Sequence, residues 1–248
     1  KRNAPTSSSF GQGFYNEFGI ENAIGYDEIP VGAWFHKIGV GLLQKEEGAY
    51  DFSKAYKIKP ATFEIEQTEK KITVKCISEL VDAYAYVLTK EIALSSDGFA
   101  IHYELTNTGD KTIKKEEYIH NFLTNDEAPM GKDYLFKFPF PLEAKLFGEN
   151  INPNNHVSIN YHTIGFKNAP KAVYFFSNLS GGELVQPSWE LLHLEKKIRI
   201  QETTSFETRK INLWGGPHVI SPELFFDVCV DAGETLEWSR FYTIEKSH

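Results

Sequence analysis

Ile101-His102-Tyr103-Glu104-Leu105-Thr106-Asn107-Thr108-Gly109-Asp110, running on through Lys111-Thr112-Ile113 to Glu116-Glu117-Tyr118-Ile119-His120-Asn121-Phe122-Leu123, is the stretch that decides the fold. Two runs of β-branched and aromatic residues flank a turn built from Asn, Gly and Asp, residues that tolerate positive φ. The pattern predicts two strands, and the turn predicts that they pair with each other. Side chains alternate across a strand, so Tyr118, His120 and Phe122 are expected on one face. That face sets a titratable imidazole among aromatic rings.

Working outward, the same alternation recurs on both sides. Phe63 to Gln67 turns through Thr68-Glu69-Lys70 into Ile72 to Ile77, a hairpin by pattern. Tyr84 to Leu94 alternates as a strand, and Ser96-Asp97-Gly98 turns it back into Phe99 to Leu105. Residues 125 to 155 hold more Pro, Gly and Asn and are expected to be a long loop region with short strand-like pieces such as Tyr134 to Phe138. Further strands are predicted at Val173 to Phe176, Trp189 to Leu194, Ile198 to Thr203 and Thr208 to Leu213. Glu195-Lys196-Lys197 supplies a hairpin turn. The run ends with Glu223 to Val230, a turn at Ala232-Gly233, and Glu234 to Ile244. About a dozen or more short strands and hardly any helical period point to an all-β, large antiparallel sandwich.

The chain has 248 residues, of which 41% are hydrophobic and 14% aromatic, with 19 Phe and 12 Tyr. That length suits one β domain, and the aromatic bias favours strands. A single β-sandwich domain over residues 1–248 is the simplest account, with residues 1–13 a loose, polar lead-in. The N-terminal segments Gly13 to Gly19 and Trp34 to Leu43 are glycine-punctuated and aromatic, and are expected to be irregular loops and short edge strands near a functional rim.

A net charge of −8 argues against a nucleic-acid binder, which would show a basic face. No run reaches the roughly 18 apolar residues of a membrane span, and no signal peptide is visible, although the chain begins Lys1-Arg2-Asn3 without Met. A soluble protein is expected, with the cytoplasm slightly favoured over the periplasm or secretion. Cys76 and Cys229 match no metal spacing and read as buried small hydrophobes rather than a disulfide. Neither a metal nor a cofactor is expected.

Three constellations stand out for chemistry. His120 is the first. The second is Trp214-Gly215-Gly216-Pro217-His218-Val219-Ile220-Ser221-Pro222-Glu223, where two prolines stiffen a bend and two glycines allow close approach. Glu223 is expected to start a strand, where a carboxylate beside Leu, Phe and Phe is costly unless paired or functional. The third is Trp34 to Gly41, with His36 and Lys37 beside Trp34.

The stretch from Ile101 to Leu123 resembles the central segment of the galactose mutarotases (aldose 1-epimerases) and their relatives. Ser221-Pro222-Glu223 through Asp231-Ala232-Gly233-Glu234-Thr235-Leu236-Glu237-Trp238 resembles the closing strands of the same family. The resemblance implies a galactose mutarotase-like β-supersandwich. It also implies a histidine acid that protonates a sugar ring oxygen, matched here by His120, and a glutamate base, matched by Glu223. The expected substrate-binding set is Trp34, His36, Lys37, Asn121, Trp214 and His218, with Trp214 or Trp34 stacking on the sugar. The partner so implied is a small sugar or an oligosaccharide. Two family features are absent, a second histidine in a Leu-His-Gly-Gly-like stretch and an arginine in an Asn-Arg-Ile-like stretch. Two functions are therefore carried forward: an aldose 1-epimerase-like isomerase, and a non-catalytic carbohydrate-binding protein on the same fold. The first requires His120 and Glu223 to face one cleft across the space of a single sugar ring.

Overall fold

The computed structural model describes residues 13–19, 23–52, 54–125 and 128–246. Almost every regular element is a strand. The helical elements among the described residues are three short 3-10 turns, at Tyr26–Glu28, Ala144–Leu146 and Pro153–Asn155. No helix among these residues is long and apolar enough to cross a membrane. The described chain packs as two compact units, one of residues 13–17, 118–225 and 241–246, the other of residues 18–117 and 226–240.

In the second unit, the predicted hairpins form an antiparallel ladder. Thr62–Gln67 pairs with Lys71–Ile77, that strand with Tyr86–Leu94, and that in turn with Gly98–Asn107. Alternation decides the buried face: Ile101, Tyr103 and Leu105 are buried, whereas His102 and Glu104 are exposed. Arg240 and Glu117 are both fully buried and form an ion pair at 2.7 Å. A small three-stranded sheet of Trp34–Lys37, Gly41–Gln44 and Ile58–Pro60 stands beside an aromatic cluster of Tyr26, Phe35, Tyr50 and Tyr56. Of the irregular loops and short edge strands expected over Trp34 to Leu43, the structure shows the latter: Trp34–Lys37 is an edge strand in a regular hairpin with Gly41–Gln44.

The expected pairing across Asn107–Asp110 does not form. Gly98–Asn107 stays in the large ladder, while Ile113–Phe122 belongs to a three-stranded sheet with Gly13–Gly19 and Phe226–Val230. The turn is a corner between sheets, and hydrogen bonds explain why. Asn107 Nδ2 donates to the carbonyls of Lys111 and Val230, each at 2.9 Å, and Asn107 Oδ1 accepts from the Gly109 N–H at 3.0 Å. The N–H groups of Thr108, Gly109, Asp110 and Lys111 bond to the carbonyls of Ala83 and Ala85. Glycine is needed at 109 for space, since a Cβ there would meet Ala83 O and Ala85 N at 2.5 Å.

The first unit holds a second ladder, ordered Val157–Ile159, Thr163–Phe166, Tyr134–Lys137, Ser188–His193 and Ile198–Thr204. Lys197, at φ 54, makes the expected turn between the last two. Trp189 and Phe136 are fully buried in this ladder, with the Trp189 indole donating to Glu202 Oε2 at 2.9 Å. A four-stranded sheet runs Asn150–Ile151, Tyr174–Phe176, Ile211–Gly215, Ile220–Leu224. The single strand expected over Glu223 to Val230 is two strands, Ile220–Leu224 and Phe226–Val230, broken at Phe225. The break falls where the chain changes partner, from Ile211–Gly215 to Ile113–Phe122. Glu223 is accordingly next to last in its strand, not first.

Both cysteines are free thiols. Cys76 is buried as expected; Cys229 is exposed, on the outward side of its strand.

Candidate functional site

The site is built in the first unit, where three strands bring His120, Glu223 and Asn212 into one row. Leu123, just past the end of Ile113–Phe122, bridges antiparallel to Ile220, with N–H to carbonyl distances of 2.9 and 3.0 Å. Carried on by three residues, that register sets His120 opposite Glu223. The next ladder sets Asn212 opposite Glu223 and Trp214 opposite Ser221. Directly opposed residues in an antiparallel pair share a face. The histidine expected on an aromatic strand and the glutamate from the glycine-proline bend therefore meet through strand register.

His120 Nε2 lies 3.5 Å from Glu223 Oε1. They are in direct contact, closer than a spacing across a sugar ring. Glu223 Oε2 faces the Asn212 carboxamide, with Nδ2 at 3.4 Å. Rings wall the histidine: Phe122 at 4.5 Å and Trp214 at 5.1 Å between centroids. The Trp214 and Phe122 rings meet edge to face at 5.9 Å, and Tyr15 meets Phe122 at 5.7 Å. Tyr118, His120 and Phe122 are half-buried and alternate with buried Glu117, Ile119 and Asn121, as the pattern predicted.

The aromatic wall has an electrostatic consequence. Burial disfavours the imidazolium and pulls His120 down to about 4. Its Nδ1 is buried and meets no hydrogen-bond partner among the described residues. An ordinary histidine titrates near neutrality; this one is mostly neutral there.

The other expected residues divide into groups. Trp214 is half-buried on the wall itself. His218 sits in the turn between the strands carrying Trp214 and Glu223. Asn121 faces the opposite way from His120. Its Oδ1 accepts from the Asn16 N–H at 2.9 Å and its Nδ2 donates to Tyr242 Oη at 3.3 Å, so it braces strands. Trp34, His36 and Lys37 lie on Trp34–Lys37 in the second unit. His36 is 1% exposed and packs edge-on against Tyr86 at 5.8 Å; burial lowers its basicity. Trp34 carries Lys57 and Lys59 over its ring at 5.8 and 5.7 Å. Among the described residues no group of three or more His, Cys, Asp or Glu is placed to hold a metal ion.

Sequence reasoning missed Asn212. Asn212 had a faint signal: it is the polar residue two before Trp214 in Ile211-Asn212-Leu213-Trp214, hence on the same face.

No family model and no curated protein matches the chain. Solved structures do. The chain is similar to a putative aldose 1-epimerase from Escherichia coli, at 9% identity and a TM-score of 0.59, over 92% of this chain and 82% of that one. The fold is galactose mutarotase-like. A galactose mutarotase-like protein from Lactobacillus casei is similar at 12% identity and a TM-score of 0.52, covering 91% of this chain and 82% of that one. A GalM/aldose epimerase homologue from C. elegans gives 9% identity and a TM-score of 0.55, over 92% and 81%. At these identities the likeness fixes the galactose mutarotase-like fold, and the chemistry has to be argued from the residues.

Proposed function

We propose that this chain is a carbohydrate-active isomerase of the mutarotase type, interconverting the anomers of an aldose by acid/base ring opening. The observation that carries the proposal is the direct pairing of His120 Nε2 with Glu223 Oε1 at 3.5 Å on a wall of aromatic rings. The anomeric hydroxyl and the ring oxygen of an aldose are bonded to the same carbon. Two groups can therefore serve both atoms without a whole sugar ring between them, so the 3.5 Å contact, shorter than the spacing first expected, is compatible with that chemistry.

In the forward step the Glu223 carboxylate takes the proton of the anomeric hydroxyl. The O–H electron pair becomes the carbonyl π bond, the bond from the anomeric carbon to the ring oxygen breaks, and that oxygen takes the proton of His120 Nε2. A half-turn about the bond next to the carbonyl, then reclosure with the proton movements reversed, gives the other anomer. Trp214 and Phe122 offer apolar faces to the C–H side of the ring. All these residues lie in the first unit.

The acid form of His120 is scarce. With the imidazole at about 4, roughly one molecule in a thousand carries imidazolium at pH 7. That scarcity favours a second reading, in which the same wall binds a sugar without turning it over.

Anomerisation of α-glucose and α-galactose, followed by polarimetry or NMR, separates the two. Wild type is expected to accelerate the reaction and Glu223→Gln is not. His120→Ala is expected to lose turnover by roughly 10²-fold or more while keeping most of its sugar affinity. Sugar binding by wild type without acceleration of either aldose establishes the binder instead.

A further inference from the structure

The carboxylate that faces His120 is held from its other side. Asn212 lies directly across the ladder from Glu223, 3% exposed, with its Nδ2 at 3.4 Å from Glu223 Oε2. An asparagine amide can present either its oxygen or its nitrogen, and here the choice is made for it. The backbone N–H of Asn178 donates to Asn212 Oδ1 at 3.1 Å, which turns the NH₂ group towards Glu223. Asn178 is itself fixed, in the left-handed region at φ 59, with its own Nδ2 donating to the Leu146 carbonyl at 3.0 Å. A donor on a carboxylate favours the charged form and restricts its rotation. Oε2 faces the amide, and Oε1 faces His120 at 3.5 Å.

We propose that Asn212 is a positioning residue for Glu223, keeping the carboxylate ionised and its Oε1 turned to the reacting atoms. The inference rests on Glu223 being the base, and it adds a residue that touches neither substrate nor the histidine. Asn212 is 3% exposed, where an amide without partners would be costly, and both its ends are engaged, Oδ1 by the Asn178 N–H and Nδ2 by Glu223.

Asn212→Asp tests the idea with little change of shape. The aspartate still accepts from Asn178 N–H, but it withdraws the donor from Glu223 and adds a like charge. With ¹³C-labelled glutamate, and Glu223→Gln to assign the signal, the Glu223 carboxyl is expected to titrate at higher pH in the variant. The limb of the anomerisation pH profile set by the base should move the same way, with kcat lowered about tenfold and KM within about twofold. A folded variant whose Glu223 titration stays at the wild-type pH overturns the proposal. If Asn212→Asp does not fold, Asn212→Ala removes the donor without adding charge, and the same upward movement is required. A shifted titration in a protein that never accelerates anomerisation would retain the positioning role and discard the isomerase. Anomerisation with an unmoved titration would discard only Asn212.

Discussion

At the scale of single residues, His120 is the meeting point of two opposed effects. Glu223 at 3.5 Å favours the imidazolium, whereas the rings of Phe122 and Trp214 strip it of water, and burial prevails. If His120 must give a proton, turnover should rise as pH falls from 7 towards 5, because the protonated fraction grows about tenfold per unit while pH exceeds the imidazole value. The pH dependence of kcat/KM checks this; a profile flat or falling over that interval removes His120 as the acid. The same shift acts on stability. Between the ordinary histidine range and about 4, the unfolded chain binds a proton that folded His120 does not, so stability falls as pH falls through that window. Unfolding free energies of wild type against His120→Gln should diverge on acidification from pH 7 to 4, with wild type losing up to about 3 kcal/mol more. The position of this histidine on an aromatic face was legible from alternation alone. Its acidity was not, because the Trp214 ring that completes its burial comes from a strand far along the chain. Asn121 misled for a related reason: adjacency in sequence means opposite faces in a strand.

At the scale of elements, alternation predicts strands well and partners poorly. The hairpins at Thr62–Ile77 and Tyr86–Asn107 follow from local turn residues that have no competing use. Asn107-Thr108-Gly109-Asp110 carries similar residues but spends them on distant carbonyls, so the chain turns a corner into another sheet. Nothing local distinguishes the two outcomes, since the deciding acceptors belong to Ala83, Ala85 and Val230. Asn107→Ala should therefore cost about 2–4 kcal/mol, the sum of bonds lost and buried groups left unmatched, in urea unfolding with an unchanged slope. A loss below about 1 kcal/mol would mean that the backbone bonds alone hold the corner. The strand break at Phe225 escaped prediction in the same way. A continuous apolar run reads as one strand, whereas its two parts pair with different strands, Ile211–Gly215 and Ile113–Phe122.

At the scale of the whole molecule, composition and the two family-like stretches were enough to expect the galactose mutarotase-like fold. They were not enough to assemble the site. His120 and Glu223 came from the resemblance, but the row that joins them depends on the bridge between Leu123 and Ile220, which no pattern announces. Buried charge was equally hidden. Arg240 and Glu117 lie far apart in the sequence, yet both are fully buried and paired at 2.7 Å. Removing one partner of such a pair leaves an uncompensated charge in an apolar place, which is far costlier than losing both.

The two thiols differ in a way that makes the protein its own clock. Cys229 is open to solvent, while Cys76 is sealed in the ladder between Phe63 and Leu88. A chromogenic disulfide reagent should consume one equivalent at once and the second only as fast as Lys71–Ile77 comes away from its neighbours. The slow phase then times the opening of that ladder in unmodified protein. Cys229→Ser should erase the fast phase and leave the slow one at its original rate.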